Sequence, residues 1–82
     1  RVLYNLVKIC FLDGNYRKAI DISKKIIEIL PDWTQGYYLL GQSYFNMKKY
    51  EDAEKYFKIT KEKDPEFREV DVYLKLIEDR KR

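Results

Sequence analysis

The feature that most constrains this chain is a spacing. Pro31 and Pro65 stand 34 residues apart, and much else keeps that offset: Leu6 with Leu40, Phe11 with Phe45, Tyr16 with Tyr50, Ala19 with Ala53, Lys24 with Lys58, Glu28 with Glu62. So many different residue types do not recur at one interval by accident. A period of this length is a supersecondary unit repeated, and such a unit cannot bury its apolar face alone, so it stacks on its neighbour. The 82 residues hold two copies and a little more.

Each period reads as helix, tight turn, helix. Leu3, Leu6, Val7 and Cys10 fall at the i, i+3, i+4, i+7 spacing of one helical face. Asp13-Gly14-Asn15 breaks that helix, with Gly14 suited to the left-handed position that ends one. Tyr16, Ala19, Ile20, Ser23, Ile26 and Ile27 then make the face of a second helix, which stops at Leu30-Pro31 because the residue before proline is pushed out of helical geometry. The second copy has Tyr37, Leu40, Gly41 and Tyr44, a turn at Met47-Lys48-Lys49, then Tyr50, Ala53, Phe57 and Thr60, ending at Asp64-Pro65. A fifth helix is predicted from about Phe67 to Arg80. Gly41 is expected to face Ala53 so that the two backbones approach closely, with Tyr44 and Tyr50 filling the wedge between helix pairs.

Composition narrows the function classes. With no histidine, no Gly-rich phosphate loop and no serine nucleophile motif, catalysis has no chemical starting point, and no enzyme activity is expected. The carboxylates gather at helix starts, where they oppose the macrodipole, so neither a metal site nor a cofactor is expected. Cys10 is the single cysteine and sits in an apolar run, as a small buried hydrophobe would. The net charge of +3 comes from interleaved signs, which points away from nucleic acid and from a membrane surface. No apolar stretch is long enough to span a bilayer. The chain opens in mid-pattern at Arg1-Val2-Leu3 and reads as a piece of a longer protein.

At these residues the chain resembles the tetratricopeptide repeat family. Its second copy carries Tyr37, Leu40-Gly41, Tyr44, Ala53, Phe57, Thr60 and Pro65 at the family's intervals. The first is looser. It keeps Tyr4-Asn5-Leu6, Gly14-Asn15-Tyr16, Ala19 and Pro31, but has Val7 in place of the family's Gly, Ser23 in place of an aromatic and Ile26 in place of Ala. The resemblance implies an all-α right-handed superhelix. Its expected parts are repeat one at 1–33, repeat two at 34–67 and a capping helix at 68–82. In strict register Asp71, Lys75 and Glu78 would fall in the core of that last helix. A one-residue slip instead gives an apolar stripe of Val70, Tyr73, Leu74 and Ile77 with a polar outer face, as a cap needs. The alternative is the first helix of a further repeat.

The resemblance further implies a concave groove, lined by the first helix of each pair, that receives a peptide segment of a partner protein. Tyr4, Lys8 and Phe11, with Tyr38, Gln42, Phe45 and Asn46, are the positions that would face it. Large rings there offer contact area at low entropic cost, and amides hold backbone groups. The plainer reading packs Phe11 and Phe45 inside. Some family members grip the acidic tail of heat-shock chaperones through a clamp of Lys, Asn and Arg. The matching positions here are Tyr4, Lys8, Leu39 and, in strict register, Glu69 and Tyr73; the one-residue slip brings in Arg68 and Val72, which does not rebuild the clamp, so binding of such a tail is not expected. The rival to groove binding is self-association through the exposed repeat end at Val2, Leu3, Tyr4 and Leu6.

Overall fold

The computed structural model describes the backbone of residues 2–80 and the side chains of residues 5–80. Five helices follow one another: α1 (Val2–Asp13), α2 (Tyr16–Ile29), α3 (Thr34–Asn46), α4 (Tyr50–Lys63) and α5 (Glu69–Arg80). Each packs mainly on its neighbours in sequence, so the molecule is an all-α stack measuring 36 × 26 × 16 Å.

The turns inside the two pairs are one motif used twice. After α1, the Gly14 N–H donates to the Phe11 carbonyl at 3.1 Å and the Asn15 N–H to Cys10 at 2.8 Å. After α3, the Lys48 N–H donates to Phe45 and the Lys49 N–H to Tyr44, both at 3.0 Å. Such crossed bonds close a helix through one left-handed residue. Gly14 takes it at φ 76°, and Lys48, at the same place in the second copy, takes it at φ 64°. Glycine is at ease there, whereas a side chain costs about 1–2 kcal/mol. The next helix starts also differ. The Asn15 side-chain oxygen accepts the Lys18 N–H at 3.3 Å and caps α2, whereas Lys49 offers no such cap to α4. Glu51 and Asp52 in the first turn of α4 supply favourable charge instead.

Between the pairs, the Tyr37 hydroxyl donates to the Pro31 carbonyl at 2.9 Å and fixes the entry of α3. Gly36 lets α3 lie against α2: a Cβ there would meet Ile26 and Ile27 at 3.2 Å. Before α5, the Asp64 side chain accepts the Glu66 N–H at 3.2 Å and its carbonyl accepts the Phe67 N–H at 3.0 Å. That turn consumes Phe67, so the helix begins at Glu69, later than its apolar pattern indicates.

Two cores result, and they differ in kind. The first is largely aliphatic: Val7, Cys10, Ala19, Ile26 and Leu39, with Phe11, Ile22 and Trp33 against it. The second is aromatic: Ala53, Phe57, Val70 and Ile77, flanked by Tyr38, Tyr44, Phe45, Tyr50, Phe67, Tyr73 and Leu74. Three expectations are sharpened. A Cβ on Gly41 would lie 2.7 Å from two ring carbons of Phe57, so this glycine clears space for the Phe57 ring. Tyr44 stacks on Tyr56 within its own pair, centroids 5.6 Å apart, and packs against the core that includes Val70 and Ile77 of α5. On α5, Val70 and Ile77 are buried and Asp71, Lys75 and Glu78 exposed, as the slipped register requires; yet its outer face is not uniformly polar, because Val72 and Leu76 are also exposed.

The first pair reaches the same density by the reverse choice. Val7 and Ser23 occupy the positions of Gly41 and Phe57, and both are wholly buried. Bulk moves from the second helix to the first. The exchange leaves a polar remnant: the Ser23 hydroxyl finds no hydrogen-bond partner among the described residues, whereas Ser43 and Thr60 donate to the Leu39 and Tyr56 carbonyls at 2.8 Å.

Candidate functional site

The helices that open each unit, α1 and α3, with α5 beyond them, supply the residues expected to form a binding groove. Lys8 and Asn46 are exposed. Phe11 is half-buried against the first core, its ring 6.2 Å from that of Tyr16. The side chain of Tyr4 lies outside the described residues.

Tyr38, Gln42 and Phe45 are brought together by a residue to which the sequence reading assigned only a packing place. Tyr73 of α5 lies edge-on to Phe45 at 5.1 Å and edge-on to Tyr38 at 6.0 Å, and it stacks on Phe57 at 4.8 Å. The Gln42 Nε2 donates to its hydroxyl at 3.1 Å. Tyr38 also meets Phe67 at 4.7 Å, and Phe45 meets Tyr50 at 5.5 Å. Edge and offset arrangements of this kind are the favourable ones for aromatic rings. All three α3 residues are therefore half-buried in a seam between α3 and α5. They form a rigid floor and present only part of their surface.

Two further apolar residues are exposed on α5. Val72 and Leu76 are 61% and 41% exposed and lie one turn apart. Tyr73 points at α3, and Asp71 is held by Lys61 of α4 at 2.9 Å, so the two contacts set the rotation of α5. With 100° between successive residues, Val72 and Leu76 fall on the outer side of the helix, away from Asp71. The slipped register carried this signal, because it leaves both apolar residues outside the stripe of Val70, Tyr73, Leu74 and Ile77.

Of the chaperone-clamp positions, Leu39 is buried in the first core and Tyr73 is packed among three aromatic neighbours and an amide. Leu39 has no donor, and neither position carries a cation with which to grip a carboxylate.

The end of the stack at α1 differs from its equivalent inside. Gly36, Leu40 and Ser43 share one face of α3, and Gly36 lies against Ile26 and Ile27 of α2. On that covered face Leu40 is 1% and Ser43 0% exposed; Leu6 and Ile9, which stand 34 residues earlier, are 39% and 52% exposed.

No curated protein matches the chain. A family model does, that of the anaphase-promoting complex, cyclosome, subunit 3, over residues 2–60, which is α1 to most of α4. The matched span takes in both helix pairs of the 34-residue period and more than half of the chain: this protein belongs to the anaphase-promoting complex, cyclosome, subunit 3 family, a family of tetratricopeptide-like repeats.

Proposed function

We propose that this chain is an interaction module that holds a peptide segment of a partner protein along the face formed by α1, α3 and α5. Repeats of this family are typically protein–protein interaction modules and generally non-catalytic, and the family's name is that of a subunit of a larger complex. The observation that carries the reading is the α3–α5 seam. Tyr38, Gln42 and Phe45 are locked by packing while part of each stays accessible, and Asn46, one turn on from Gln42, is exposed. A pre-ordered aromatic floor lowers the entropic cost of binding.

Truncating Tyr38 is a poor test, because its ring packs against Phe57, Phe67 and Tyr73 and its loss weakens the fold itself. A photo-crosslinking side chain at Lys8 or Asn46, compared with the same group at Lys24 of α2 or Lys58 of α4, separates the faces without touching either core; all four positions are exposed. Partner crosslinks are expected from the first two positions only. Equal crosslinking from α2 and α4 refutes groove binding.

A second reading is assembly through the α1 face, where Leu6 and Ile9 are exposed within these 82 residues. It expects a mass that rises with concentration in sedimentation, and a monomer after Ile9→Glu. A chain that stays monomeric throughout removes it.

A further inference from the structure

We draw no further inference here: the strongest candidate, the exposed aliphatic patch of Val72 and Leu76 on the outer side of α5, carries nothing because nothing in the structure shows what covers it.

Discussion

Gly41→Ala is expected to change sign with the residue it faces. The new Cβ would sit 2.7 Å from Cδ1 and Cε1 of Phe57 and 3.1 Å from Cζ, against a comfortable carbon–carbon separation of about 3.5–4.0 Å. The ring has nowhere to retreat: it is wholly buried, stacked on Tyr73 at 4.8 Å and tilted against Tyr38 at 6.0 Å. Overpacking of this kind costs about 2–3 kcal/mol, and replacing a mid-helix glycine by alanine returns about 1 kcal/mol, so the net loss is about 1–2 kcal/mol. In a domain of this size that lowers the melting temperature by roughly 5–12 °C. Phe57→Leu alone costs about 1–1.5 kcal/mol as a near volume-conserving change. In that background the clash is gone and only the helix preference remains, so Gly41→Ala becomes stabilising by about 1 kcal/mol. The coupling between the two sites is therefore about 2–3 kcal/mol. Urea and thermal melts of the wild type, both single variants and the double variant, followed by far-UV circular dichroism, measure it. If Gly41→Ala destabilises both backgrounds equally, within about 0.5 kcal/mol, the size-exchange argument is wrong.

Three smaller sets of changes test the differences between the two copies. Lys48→Gly relieves a left-handed residue and is expected to raise stability by about 1 kcal/mol, while Gly14→Ala lowers it by about as much; a Cβ at Gly14 meets nothing within 4 Å, so the second effect is purely conformational. Equal and small shifts at both positions in denaturant melts contradict the assigned turn geometry. Lys49→Asn gives α4 the cap that Asn15 gives α2 and adds about 1 kcal/mol, whereas Asn15→Ala removes as much; no gain from the first shows that Glu51 and Asp52 already suffice. Ser23→Ala deletes a buried hydroxyl without a partner and is expected to stabilise by about 1 kcal/mol, whereas Ser43→Ala and Thr60→Ala, which break bonds to Leu39 and Tyr56, give no such gain.

How much of this was legible depends on which physical quantity each feature encodes. Helix pairs were legible because burial selects residue type by position, and Leu6/Leu40, Ala19/Ala53 and Pro31/Pro65 carry that selection in their identities. The turn at Gly14 was legible in chemistry; the turn at Lys48 was readable only from its offset, since nothing about lysine announces a positive φ. The partner of Gly41 was not legible. A helical position says which way a Cα faces, but not which ring from a helix sixteen residues on fills the gap. The proposed groove was legible in part. Periodicity picks out the face holding Lys8, Gln42 and Asn46, yet the accessibility of Gln42 depends on where α5 docks, and that rests on one slipped residue in the loop before Glu69.

That dependence makes α5 part of the proposed site. The residues expected to read a partner, Tyr38, Gln42 and Phe45, are each held by Tyr73, while Tyr73 itself is held by Phe57 from below. Phe57 in turn keeps its place because Gly41 has no side chain. A change at Gly41, which touches no groove position directly, is therefore transmitted through two stacked rings to the amide of Gln42. Among the described residues the first pair shows no such chain: Val7 and Ser23 fill their gap with an aliphatic group and a hydroxyl, neither of which stacks. Binding by this protein should accordingly respond more strongly to substitutions within the second core than to equally destabilising ones within the first. Pairing Phe57→Leu with Ile26→Val at matched stability, and comparing the affinity of one peptide for each, decides whether the aromatic relay has that role.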